Sequence, residues 1–188
     1  MLIPKSFYER EPASVARDLL GHTLVVARDG YLAGKIVETE AYYGMSDPAS
    51  RASRGKTKLS QWMWEDAGSS FVYMVHSHWL FNVITERRGT PSGILIRAVE
   101  PLAGVSLMAE RRQTDKYTNL TSGPGKLTQA MGITGGDNGI NVYASSSPIR
   151  IEEGEHTPNV ATSHRIGVRE DLPEQLRFYI PKNPFVSR

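Results

Sequence analysis

The run from Gly34 to Gly44, Gly-Lys-Ile-Val-Glu-Thr-Glu-Ala-Tyr-Tyr-Gly, constrains the fold more than any other: it is apolar and strand-prone, yet carries two carboxylates and two tyrosines. In an extended chain Ile36, Glu38, Glu40 and Tyr42 share one face, and Val37, Thr39, Ala41 and Tyr43 share the other. Two readings stand. The glutamates line the solvated face of an antiparallel sheet, or Glu40 beside Tyr42 forms an active site on a strand. In the second reading the aromatic wall partly desolvates the carboxylate, strengthens it as a proton acceptor and offers a stacking surface to a planar substrate.

The neighbouring sequence supplies a partner strand. His22 to Ala27 and Leu32 to Tyr43 flank Asp29-Gly30, a dipeptide suited to a tight hairpin. Ahead of them, residues 4 to 19 carry helical spacing, with Ala13, Val15, Ala16, Leu19 and Leu20 on one side and Gly21 as the stop. A polar, basic loop of residues 44 to 61 follows the hairpin, long enough to suggest a binding role. Phe71 to Met74, Asn82 to Ile84 and Ile94 to Glu100 read as strands, with a turn at Glu86-Arg87-Arg88-Gly89-Thr90. Leu102 to Arg112 and Pro124 to Met131 suit helices, and Ile149 to Glu152 and Leu176 to Ile180 return to strands. No internal repeat, low-complexity segment or linker interrupts residues 1–188, so the expectation is one compact α+β domain.

Composition narrows the function classes. At 188 residues the chain can bury a sizeable core, and with no cysteine it offers no thiolate site for zinc or iron–sulfur clusters. Five histidines are present, His22, His76, His78, His156 and His164; the pair His76 and His78 lacks a third ligand nearby and reads as structural. Met1 to Lys5 is too short an apolar start for a signal peptide, and no apolar run reaches membrane-spanning length, so an intracellular protein with no membrane partner is expected. Net charge is only +2, while the isoelectric point is near 8.9 and the cations are grouped. Arg51, Arg54, Lys56 and Lys58 fall in one anion-free stretch, and Arg111, Arg112, Lys116 and Lys126 follow later. Such groups suit a polyanion-binding face as well as solvated loops.

Four blocks occur in order: Val37-Glu38-Thr39-Glu40-Ala41-Tyr42, Leu95-Ile96-Arg97-Ala98-Val99-Glu100-Pro101, Ser122-Gly123-Pro124-Gly125-Lys126-Leu127, and Leu176-Arg177-Phe178-Tyr179 with Pro184 and Ser187. In these blocks the chain resembles the alkyladenine, or methylpurine, DNA glycosylase family, from about Phe7 to Ser187. The resemblance implies a compact domain with a central antiparallel sheet flanked by helices. It implies a monomer that flips damaged purines out of duplex DNA and hydrolyses the N-glycosidic bond with water, without metal or diffusible cofactor, in the compartment that holds the chromosome. By position, Glu40 matches the general base, Arg97 the arginine that helps hold glutamate and water, and Tyr42 the residue stacking on the extruded base. Asn82 matches the asparagine that crowds guanine's exocyclic amine, and Lys126 a DNA-facing lysine. The chemistry agrees, because a carboxylate near an oxocarbenium-like sugar both stabilises positive charge and takes a proton from the attacking water. Glu38 receives no role from the resemblance and remains an unassigned neighbour.

The chain also departs from the pattern. Where the family has a histidine stacking on the base, this sequence has Arg51, whose fixed charge repels cationic alkylated bases. Where the family has a tyrosine wedge, the matching stretch Val75 to Asn82 places His76, or His78 as the alternate. Thr57-Lys58-Leu59-Ser60 replaces a Thr-Pro-Arg-Asn-like segment, and Trp62 and Trp64 are candidates for either the DNA face or buried packing. Arg54, Lys56, Lys58 and Lys126 are the expected phosphate contacts, each adding about −0.9 to the log–log salt slope of binding. The alternatives are a damaged-DNA-binding protein that has lost catalysis, and a hydrolase of free nucleosides.

Overall fold

Two apolar runs, each able to bury both faces, meet at the centre of the molecule. The computed structural model describes residues 1–155 and 159–187, so His156 lies outside the described residues. β1 (Thr23–Arg28) and β2 (Gly30–Tyr42) form the expected hairpin, with Arg28 paired to Gly30 across Asp29. Beyond them lie β3 (Ser70–Val75), β4 (His78–Thr85), β5 (Ser92–Ala103) and β6 (Ile149–Glu152). The sheet runs β3-β4-β5-β2-β1-β6, with every pairing antiparallel. β2 changes neighbour along one edge. Its first half pairs with β1; Glu38 to Glu40 pair instead with β8 (Arg177–Tyr179), which also carries the short β7 (Ala161–Ser163). On its other edge β2 follows β5 along most of its length, an approach that Gly34 permits because a Cβ there would fall 2.6 Å from Val99 Cγ2.

Among the described residues four α-helices flank this sheet, and the α+β expectation holds. Residues 4 to 19 do not form one helix. They form α1 (Lys5–Tyr8) and α2 (Pro12–Asp18), because Pro12 has no N–H for a preceding turn and restrains Glu11 to an extended conformation. Glu11 then caps α2, accepting from the N–H groups of Ala13 and Ser14 at 3.1 and 2.8 Å. The apolar side is as expected: Val15, Ala16, Leu19 and Leu20 are buried, and Gly21 takes a left-handed φ of +92°. The expected helix over Leu102 to Arg112 is also shorter. β5 continues through Pro101 to Ala103, Gly104 turns the chain at φ +76°, and α3 spans Val105–Arg112. Pro101 is tolerated in the strand beside a register shift, where a ladder donor is dispensable. α4 is Pro124–Met131, as its Pro start and its Gly132 stop indicate. The main core lies between sheet and helices, and a smaller cluster of Ala52, Met63, Phe71, Tyr73 and Ile84 packs the 44–64 region onto β3 and β4. No helix among the described residues is long and apolar enough to cross a membrane.

Candidate active site

Strict alternation along β2 fails at one residue, and that residue builds the site. Ile36 pairs with Val99 and Glu38 with Ala98, leaving Val37 as an extra residue; Thr39 then pairs with Ile96, leaving Arg97 as an extra residue on β5. Bulges of this kind re-aim side chains beside active sites. Ile36 therefore joins the main core with Ala41, while Thr39 donates to Ala16 O on α2 at 2.7 Å. Val37 packs with Ala98 and Phe185 instead. The expected grouping thus needs correction for Ile36 and Val37, which exchange faces, while Glu38, Glu40 and Tyr42 remain together around Arg97.

Both glutamates are fully buried, so the solvated-face reading is excluded. Glu38 has no acceptor capacity to spare. Its Oε1 accepts from Arg97 Nε (2.8 Å), Arg177 Nε (2.8 Å) and Ser187 Oγ (2.7 Å), and its Oε2 from Ser187 N (2.6 Å). Glu40 is held more openly. Its Oε1 lies 2.8 Å from the donating Ile166 N–H and 3.1 Å from Arg97 Nη1, and its Oε2 accepts from the Tyr42 hydroxyl at 2.7 Å. Burial, followed by the Glu40 charge, raises the Tyr42 phenol well above its ordinary pKa, which keeps it a proton donor to Glu40. Burial works against the Arg97 charge, but the Glu40 and Glu38 carboxylates outweigh it and raise its pKa.

Beside this pair lies a cleft lined by Tyr42, Ala49, Arg51, Tyr73, Asn82 and Gly93, among others. Three of the expected base-binding residues, Tyr42, Arg51 and Asn82, thus converge on one space. Arg51 is exposed and lies over the Tyr73 ring, with Cζ 4.7 Å from the centroid. In this arrangement the cleft has about 10 Å³ free, room for about one water. Asn82 donates both amide hydrogens to the chain, to Phe71 O at 3.0 Å and Leu80 O at 3.2 Å, which sets its orientation. Its Oδ1 accepts nothing among the described residues.

The expected DNA contacts fall in three places: the loop of Arg54, Lys56 and Lys58, the β3–β4 turn, and the start of α4. Arg54, Lys56 and Lys58 are exposed in the loop that carries Arg51, and Lys56 sits 5.9 Å from the Trp64 ring. Trp62 and Trp64 are half-buried against the smaller core cluster. His76 and Ser77 form the two-residue turn of the β3–β4 hairpin, both with positive φ (46° and 66°), so His76 stands exposed at its tip. His78 opens β4 and does not share a strand face with His76; it lies against Gly125, where a Cβ would meet His78 Cβ at 2.8 Å. Lys126, next to Gly125, donates to Asn119 Oδ1 at 2.6 Å, and burial with the nearby Arg112 and Lys116 charges lowers its pKa. Among the described residues, no three or more His, Asp or Glu side chains gather as a metal site.

Sequence reasoning missed four contributors. Tyr73 falls within the expected strand Phe71 to Met74 with nothing to mark it, Ile166 contributes only its backbone, and Asp47 and Arg165 pair across 118 residues. The chain as a whole is similar to known proteins. A family model described as methylpurine-DNA glycosylase matches residues 6–184. Among curated proteins assigned by name as 3-methyladenine DNA glycosylases, one from Methanoculleus marisnigri is 40% identical over 194 residues, covering 100% of both chains. One from Oceanobacillus iheyensis is 42% identical, covering 99% of this chain and 96% of its own. One from Bacillus subtilis is 38% identical with the same coverage.

Proposed function

The chain belongs to the methylpurine-DNA glycosylase family, and from that premise we propose that it flips damaged purines out of duplex DNA and hydrolyses their N-glycosidic bond with a water activated by Glu40. The observation that carries this reading is the buried Glu40 carboxylate, held by Arg97, Tyr42 and the Ile166 N–H beside an aromatic cleft. The Glu40 carboxylate takes a proton from water as the water attacks the sugar carbon and the base departs with the bonding electrons. Glu38, with its oxygens committed to two arginines and Ser187, holds Arg97 in place and takes no part in proton transfer. Stacking returns about 1–3 kcal/mol per base, which offsets the few kcal/mol of extrusion. Tyr42 supplies that stacking, Arg51 lifts from Tyr73 to admit the base, and the His76 tip fills the gap left in the duplex. Arg54, Lys56, Lys58 and Lys126 hold the phosphates.

Two features set the lesion class. Arg51 carries a fixed positive charge over the cleft, which disfavours cationic bases. Asn82 offers an acceptor, which suits a base presenting an N–H. Neutral deaminated purines such as hypoxanthine meet both conditions. Release of free base from duplexes carrying hypoxanthine, ethenoadenine or 7-methylguanine, read as alkali-labile breaks, tests the whole reading. Release is expected from the wild type, hypoxanthine ahead of 7-methylguanine, and should disappear in Glu40→Gln. Substantial turnover by Glu40→Gln removes Glu40 from the general-base role, and 7-methylguanine released as fast as hypoxanthine removes the charge filter at Arg51. Tight duplex binding with no release from any lesion would instead indicate a silent damage binder.

A further inference from the structure

Arg165 lies outside every block that carries the family resemblance, yet its side chain is wholly buried, where a guanidinium persists only if its charge and donors are matched. Here they are. Nη1 and Nη2 grip the two Asp47 oxygens at 2.6 and 2.9 Å, and Nη1 also donates to Ala41 O at 3.0 Å. Nε donates to Asp171 Oδ1 at 2.8 Å. Burial works against the charge, and the hydrogen bonds it donates to Asp47 and Asp171 more than offset this, raising the pKa above its ordinary value.

What this cation touches is the reactive end of β2. Its Cζ stands 4.6 Å from the centroid of the Tyr42 ring, and the very next residue donates the Ile166 N–H to Glu40 Oε1 at 2.8 Å. Asp47 in turn accepts from the N–H groups of Tyr43 and Ala49, both at 3.0 Å, and so folds back the loop that leads to Arg51. A two-pronged grip on a carboxylate fixes the plane of a guanidinium, which a lysine ammonium cannot do. A purely structural ion pair has no need to meet the stacking tyrosine, the carboxylate's amide donor and the Arg51 loop at once.

We propose that Arg165 is a positioning residue of this site, setting the plane of the Tyr42 ring and the placement of the Ile166 N–H on Glu40 through its fork on Asp47. The proposal rests on the glycosylase reading above. Arg165→Lys keeps the charge and removes the fork. Single-turnover release of hypoxanthine should fall about 10²-fold, the scale expected for a misplacement of about 1 Å, while duplex affinity stays near wild type. Asp171→Asn leaves the Asp47 fork intact and should cost less. A second readout is independent of chemistry: in a Glu40→Gln background, the fluorescence change of ethenoadenine as it stacks in the cleft should be lost in Arg165→Lys. A folded Arg165→Lys protein with wild-type rate and an unchanged fluorescence response would overturn the proposal. If Arg165→Lys fails to fold, Asp47→Asn, which removes the carboxylate that the fork grips, decides, and a wild-type rate there overturns the proposal. If the wild type releases no base, the glycosylase reading fails, and the fluorescence comparison still tests Arg165.

Discussion

Glu38 and Glu40 stand two positions apart on one strand, equally buried, and their surroundings give them different work. Glu38 is saturated by two arginines and Ser187, so its replacement is a structural event. Glu38→Gln leaves the Arg97 and Arg177 charges under-matched in the interior, and loss of one partner from a buried pair costs ~3–5 kcal/mol. Thermal melts should fall by roughly 6–20 °C, with a smaller fall for Glu40→Gln; equal melting temperatures would show that the two carboxylates share the load. At this scale the sequence was most legible where a residue type is improbable in its setting. Two acids in an apolar run drew attention; Tyr73, an ordinary residue for a strand, did not. Arg165 sits in a polar stretch without periodicity, and a partner 118 residues away leaves no local trace.

Elements bounded by turn chemistry were readable, and those created by pairing were not. Asp29-Gly30 marked the β1–β2 hairpin, and Pro124 and Gly132 marked α4 at both ends. β7 is three residues long with no alternation of burial, and it exists because β8 offers it an edge. The double register shift at Val37 and Arg97 is a property of two strands together, so neither strand's pattern announces it. The β3–β4 hairpin shows an element strained at its tip. His76 and Ser77 both occupy left-handed φ, a region that favours Asn and Gly in such turns. The double replacement His76→Asn, Ser77→Gly should therefore stabilise the fold by about 1–2 kcal/mol, read by denaturant unfolding. If His76 is the wedge, the same protein extrudes the base more weakly; greater stability with undiminished base release would remove His76 from that role.

Across the whole molecule, buried phenols couple stability to alkaline pH. Tyr8 is fully buried, and its hydroxyl is the buried side-chain polar atom without a hydrogen-bond partner among the described residues. Burial raises its pKa far above the usual tyrosine range, and Tyr42 and Tyr73 are raised for the same leading reason. The folded state thus keeps protons that the unfolded chain releases above about pH 10, so stability is full below that pH and falls as pH rises through it. Tyr8→Phe should add ~1–2 kcal/mol at neutral pH by deleting an unsatisfied hydroxyl and should flatten the alkaline loss; a lower melting temperature at pH 8 would count against this account. The longest connections in the site also set a schedule. Ser187 lies 149 residues beyond Glu38, and Arg177 lies 139 beyond it. At about 5–20 residues per second, a ribosome takes roughly 7–30 s to travel from one to the other. The strands that carry Glu38, Glu40 and Arg97 emerge early in that interval, and the groups that lock Glu38 emerge at its close. A nascent chain therefore holds both glutamates and Arg97 before it holds Arg177 and Ser187, the groups that fix Glu38.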